Sequence, residues 1–191
     1  MIDPGDFIGK DLRDRDFALA DLAGVVFDRS DLSGVNLVGA NLRGASFQGA
    51  ILTGANLVGA DLNNANLYQA DLGEAHLHRA NLCFANLRAV NLIGADLNTA
   101  KLFEAEAQGA YLYRANLSYA DLTQAHLAGA YLVRSNLSYA NLQNADFRWS
   151  NLHNVNLTAA NVRQTQFSYA QHLHRDQIEA ARYHSEAIFS N

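Results

Sequence analysis

Large apolar residues recur in this chain at every fifth position, and that interval limits the fold more than any other feature. The series begins Phe7, Leu12, Phe17, Leu22, Phe27, Leu32, Leu37, Leu42, Phe47, Leu52 and continues in unbroken register to Leu157, Val162 and Phe167. Of the 33 windows between positions 7 and 167, only Ala107 lacks a large apolar centre. Two residues before each centre stands a small residue, almost always Ala from Ala40 to Ala145, with Val35, Val90, Ser135, Ser150 and Val155 among the exceptions. Between the two comes Asp or Asn most often, as in "GANL", "GADL", "NANL" and "QADL".

Neither regular element accommodates a period of five. On an α-helix, residues five apart are rotated by roughly 140° about the axis, so the leucines would spiral onto every face. In an uninterrupted strand side chains alternate with period two, and an odd repeat would send every second leucine to the wrong side. The chain therefore has to turn once per repeat. Three extended residues, with Ala inward, Asp or Asn outward and Leu inward, are followed by a corner where two successive side chains point away from the core. Gly is frequent at the second corner position, as at Gly34, Gly39, Gly44, Gly49, Gly54 and Gly59, where a turn tolerates it best.

The number of sides follows from identities on the outward positions. "AYLYRANLSYAD" begins at Ala110 and "AYLVRSNLSYAN" at Ala130, a spacing of 20, and "NLVGANL" at Asn36 returns as "NLVGADL" at Asn56. Four sides of five residues put positions 20 apart directly above one another. Phe centres agree, because Phe7, Phe27, Phe47, Phe147 and Phe167 fall in one such column and only Phe17 does not. Ala107 falls in the same column, where a cavity or a compensating neighbour is expected.

With its repeated A(D/N)LXX units over residues 5–170, the chain resembles the pentapeptide repeat family, cyanobacterial members among them. The resemblance implies an all-β fold, a right-handed quadrilateral parallel β-helix of about 8 coils, which at the spacing of neighbouring strands is a rod roughly 39 Å long. Residues 1–170 are expected to form this β-helix with its N-terminal cap, Ile2 and Phe7 closing the first coil. Residues 171–191 are expected to form a short helical cap over the other end, which would otherwise be open to edge pairing. In "HLHRDQIEAARYHSEAIFSN", Ile178, Ala181, Ser185 and Ile188 fall at helical spacing between Leu173 and Phe189. Many cyanobacterial members end in a similar segment; His174 takes the place of the usual Thr, while Gln177 stands where a capping box needs it.

Composition bounds the rest. A chain of 191 residues with 49% hydrophobic and 17% charged residues has enough apolar material for one folded domain. The opening "MIDPGDFIGKDLRDRD" lacks a basic segment followed by an apolar run, so no secretory signal is expected. There is no run of 18 apolar residues, which excludes a transmembrane helix. With the single Cys83 and no partner for a disulfide, a cytoplasmic location is expected.

Chemistry is sparse. His76 and His78 flank Leu77, and His172 and His174 form a second pair, but neither has a neighbouring Cys or acidic cluster to complete a tetrahedral site. No metal and no cofactor are assigned. A convex rod offers no water-excluding pocket, so no catalytic residue is assigned and the chain is not expected to be an enzyme. Cys83 is read as a passive residue at a corner. The recurrent Asp and Asn are read as turn formers that hydrogen-bond backbone groups at the corners.

An interaction surface remains. Tyr111, Arg114, Tyr119, Tyr131, Arg134, Tyr139, Trp149 and Tyr169 form outward pairs 20 apart, and Tyr, Trp and Arg are the side chains most enriched where partners bind. Cross-strand stacking that merely stabilises adjacent coils, by about 0.2 to 1 kcal/mol per pair, is the competing reading. The expected function is a non-enzymatic rigid scaffold or regulator that binds a protein partner, as a monomer or a homodimer through an end of the rod. Direct binding of nucleic acid or membrane is not expected. The resemblance also carries an alternative, since some members imitate B-DNA and bind DNA gyrase or topoisomerase IV, protecting bacteria from quinolones. A duplex of about 39 Å carries on the order of 23 phosphates. Residues 32–170 hold eight acids against eight bases, and the net charge of -5 comes from the two ends of the chain. The projecting loops of quinolone-resistance members are also absent from this sequence.

Overall fold

The computed structural model describes residues 7–189. Ile2, named above for the first coil, lies outside the described residues. Within them the chain winds as a right-handed, four-sided parallel β-helix, each side meeting the next coil 20 residues on. Asp11 pairs with Asp31, Asn36 with Asn56, Asn56 with His76, and so on to Asn151 with Gln171. Sides are numbered here by their centres: side 1 carries Phe7 to Phe167, side 2 Leu12 to Leu152, side 3 Phe17 to Leu157 and side 4 Leu22 to Val162.

One repeat shows why five residues suffice. Leu37 N–H donates to Asn56 O at 2.7 Å, Gly39 N–H to Val58 O at 2.9 Å, and Asn56 N–H returns to Val35 O at 2.9 Å. Within the coil Ala40 N–H closes the turn onto Leu37 O at 3.1 Å. The backbone polar groups of the repeat are thus spent on the coil above, the coil below and the corner. The third turn residue has positive φ at every corner from Gly9 to Tyr169, in keeping with type II geometry. Inward residues from Leu22 to Phe167 are closed to solvent; Leu37, Leu57 and Leu77 lie in adjacent coils of side 3 and are all fully buried. Each such leucine contributes about 1.5 to 3 kcal/mol before chain entropy is set against it.

Side 1 is plugged with stacked rings at both ends. Phe7, Phe27 and Phe47 stack with centroids 5.1 and 5.0 Å apart, and Phe147, Phe167 and Phe189 at 5.6 and 5.7 Å. Phe17, the ring outside this column, meets Phe7 edge-on at 5.9 Å. Ala107 is buried in the middle of the same column, and the hydrogen-bond register passes through it unchanged, with Ala107 N–H on His126 O at 2.8 Å.

At the C-terminus the helical spacing that runs from Ile178 to Ile188 is not followed. Helix α1 covers only Arg175–Glu179, a single 3₁₀ turn covers His184–Glu186, and Ser185 and Ile188 lie outside α1. The reason is the open edge of the last coil. Ala160 O and Thr165 O accept from Arg182 and Ile188 N–H at 2.7 and 2.9 Å, while Val162 and Phe167 N–H donate back to Arg182 and Ile188 O at 3.1 and 2.8 Å. A longer helix would satisfy itself and leave those four groups bare. The tail is therefore an irregular further coil, with Gln171 over side 2, α1 in place of side 3, Arg182 over side 4 and Ile188 over side 1. Gln177 secures it: its Oε1 accepts from His174 N–H at 2.8 Å, and its Nε2 donates to Leu152 O and Val155 O at 3.1 and 2.8 Å.

Candidate functional site

The Asp and Asn positions are structural. Their Oδ1 accepts from the backbone N–H two residues on, as Asn36 does from Val38 at 3.3 Å and Asp96 from Asn98 at 3.1 Å. Their amides also bridge the coils, with Asn36 donating to Asp16 at 2.9 Å, Asn81 to Asp61, Asn91 to Asp71 and Asn116 to Asp96 at 2.8 Å. These Asx turns and bridges account for the residue type without any ligand. On side 2, Tyr111 and Tyr131, like Ile51 nearer the N-terminus, stand where Asp or Asn is the rule.

The eight surface residues lie in the last coils, on and around sides 2 and 3. Tyr111 and Tyr131 stack at 5.2 Å with planes 6° apart. Arg114 and Arg134 occupy the corner ending side 2, at φ of 56° and 59°. Tyr119 and Tyr139 stack at 4.8 Å and 3° on the corner ending side 3. Trp149 and Tyr169 stack at 5.8 Å and 5° on the corner before side 2. All six rings are exposed, between 46% and 58%. Two further side chains that the 20-residue repeat did not single out belong to this surface. Arg114 lies over the Tyr113 ring at 5.1 Å, and Arg148 lies over Trp149 at 5.2 Å while holding Asp146 at 2.7 Å. The signal for both was adjacency within a corner, because positions one and two after each centre point the same way.

Other candidates remain separate. His76 sits in the Asx ladder between Asn56 and Asp96, and His78 approaches Thr99 Oγ1 at 3.5 Å. His172 meets His153 edge-on at 5.4 Å rather than pairing with His174, the residue before α1. Among the described residues no three His, Cys, Asp or Glu side chains converge on a common metal position. Cys83 is a free, half-buried thiol, and burial pushes its pKa up, which makes it a poor nucleophile at neutral pH. Burial also pushes the Asp146 carboxyl up, but the hydrogen bonds from the Arg148 side chain and backbone more than offset it and hold the group below its ordinary value. Among the described residues no helix is long and apolar enough to cross a membrane.

The sequence pattern of the family described as Pentapeptide repeats matches residues 6–44, 40–79, 80–118 and 115–154, in 8 copies. The chain belongs to the pentapeptide repeat family. Comparison with curated proteins found no match. Among solved structures, HetL, a pentapeptide repeat protein involved in heterocyst differentiation regulation from the cyanobacterium Nostoc sp. strain PCC 7120, is 27% identical with a TM-score of 0.79, over 90% of this chain and 84% of that one. QnrB1, a plasmid-mediated fluoroquinolone resistance protein, is 19% identical with a TM-score of 0.58, over 100% of this chain and 86% of its own; at that identity the likeness is one of fold.

Proposed function

We propose that this pentapeptide repeat protein is a rigid, non-enzymatic scaffold or regulator that docks a protein partner on the aromatic and arginine surface of its C-terminal coils. The observation that carries the reading is the set of exposed ring pairs at 4.8 to 5.8 Å, held within 6° of parallel by adjacent coils. Rigid aromatics lose little conformational freedom on binding, and Arg beside them adds directed donors. The likeness to HetL, itself involved in regulation, supports the same class. A cytoplasmic location is part of the proposal and fits the lone free Cys83. So is a monomer, or a homodimer through the end of the rod that exposes Ile188 and Phe189.

Imitation of duplex DNA toward gyrase or topoisomerase IV is the second reading, with weaker support. Arg43, Arg88 and Arg148 pair with Asp61, Glu106 and Asp146 at 3.1, 3.1 and 2.7 Å, so the rod lacks the uninterrupted negative field that such imitation requires. Affinity capture from the native cell extract tests the first reading: the partner should be lost when Tyr119→Ala and Tyr139→Ala are combined. Inhibition of gyrase supercoiling, or protection from a quinolone, at stoichiometric protein would reverse the ranking.

A further inference from the structure

Charge is distributed along the rod in a way that bears on what this surface can hold. Residues 107–119, 127–139 and 147–159, which form sides 2 and 3 and their corners in the last coils, contain no Asp or Glu. Of the five equivalent stretches nearer the N-terminus, four carry acids, Asp11, Asp14 and Asp16, then Asp28 and Asp31, then Asp71 and Glu74, then Asp96, and the fifth, residues 47–59, has no acid but no Arg, Lys, Tyr or Trp either. Arg114 and Arg134 have no carboxylate partner among the described residues, although seven ion pairs form elsewhere. A chain of net charge -5 thus keeps one acid-free, cationic and aromatic face.

Ring geometry narrows the occupant. A nucleic-acid base inserted between two rings needs about twice the 3.4 Å base spacing, roughly 7 Å, and these pairs stand at 4.8 to 5.8 Å. Parallel stacked rings beside arginine are equally unsuited to a cationic ligand, which wants an open ring face and no like charge. Left exposed are ring edges and phenol hydroxyls, and no hydroxyl of Tyr111, Tyr119, Tyr131 or Tyr139 is hydrogen-bonded to another residue among the described residues. Two unpaired guanidiniums are too few to neutralise a run of phosphates, yet they suit a few carboxylates, which accept from guanidinium and phenol alike.

We infer that the surface formed by Tyr111, Arg114, Tyr119, Tyr131, Arg134 and Tyr139 receives an acidic segment of a protein partner. This deepens the proposed function and rests on it. Trp149, the sole tryptophan, sits on the rim and reports occupancy by its emission. The full-length protein is titrated at low salt with a short polyglutamate peptide, a polylysine peptide and an oligothymidylate. Polyglutamate should give a saturable change in emission, and the combined Arg114→Gln and Arg134→Gln variant should weaken it by about tenfold or more. Gln suits these corners, since Gln124 and Gln164 already take φ of 59° and 54°, and an unchanged melting temperature confirms an intact rod. Equal or tighter binding of polylysine or oligothymidylate, no response to polyglutamate, or a response that survives in the arginine variant overturns the inference. A partner captured from extract that depends on Tyr119 and Tyr139 but ignores the arginine variant overturns the acidic segment alone. Capture that ignores the tyrosines as well removes the docking reading itself.

Discussion

The corners of the first three coils and those of the remaining ones solve the same backbone problem with different residues. Of the eleven corners from Gly9 to Gly59, eight hold Gly at the positive-φ position; of the 22 from Asn64 to Tyr169, only Gly94, Gly109 and Gly129 do. A side chain in the left-handed region costs roughly 1 to 2 kcal/mol, a penalty Gly escapes. The early coils therefore build corners at little strain and present mostly backbone. The later coils accept strain at Arg114, Tyr119, Arg134, Tyr139, Trp149 and Tyr169, and gain projecting side chains in return. Ring stacking offsets part of that cost, at about 0.2 to 1 kcal/mol for each pair. One backbone thus hosts a region economical in strain and a region equipped for contact.

The largest test asks whether the two regions share one core. Leu37→Ala and Leu137→Ala, both fully buried on side 3, should each cost about 2 to 5 kcal/mol in denaturant unfolding. A difference beyond that spread would show that the interiors differ as well as the corners. Next comes the corner itself. Gly59→Val introduces a branched side chain at φ of 66° where an added Cβ meets nothing within 4 Å, so the loss of roughly 1 to 2 kcal/mol is pure backbone strain. If Gly59→Val melts with the parent protein, the strain account of the later coils fails. Smaller again is Ser135→Ala. Ser135 takes the inward Ala slot with its Oγ buried and without a hydrogen-bond partner, whereas Ser150 donates to Phe147 O at 2.7 Å. Removing the idle hydroxyl should raise stability by about 1 kcal/mol, read as a higher melting temperature, while Ser150→Ala should not.

What the sequence made legible was whatever the period controls. Side-chain direction, the four-sided coil, the Phe column and the Asx turns each follow from register, so Leu57 above Leu37 needed no structure. Two features stayed hidden. The tail from Leu173 to Phe189 has helical spacing, but its conformation is decided by backbone groups of residues 160–167 that no local pattern reveals. Positive φ at corners occupied by Tyr, Trp and Arg was also masked, since Gly flags that conformation and these residues do not. The surface was legible in part: repetition at 20 marked the stacked pairs, while Tyr113 and Arg148, which occur once each, were found only through their contacts.

Acid should separate the two regions by the smallest effect. The Arg13 side chain and backbone beside Asp11 hold its carboxyl down at about 2, and hydrogen bonds from Ser33 lower that of Asp31; on the C-terminal coils burial pushes the Asp146 carboxyl up, and Arg148 more than offsets it. A carboxyl whose folded value lies below its unfolded value of about 3.9 adds stability that is complete above that pH and disappears as pH falls through the folded value. The window for Asp11 therefore runs from about pH 4 down to about 2. Asp11 is fully exposed, so its effect is screened by salt and local to the first coils. Because each coil contacts only its neighbours, loss at one end need not unfold the rod. Amide exchange compared between neutral and acid solution should show protection falling first in the coils of Asp11 and Asp31, and Asp11→Asn with Asp31→Asn should flatten that dependence. Earlier loss around Trp149 and Tyr169 would mean that strained corners, rather than carboxylates, set which end of the rod opens.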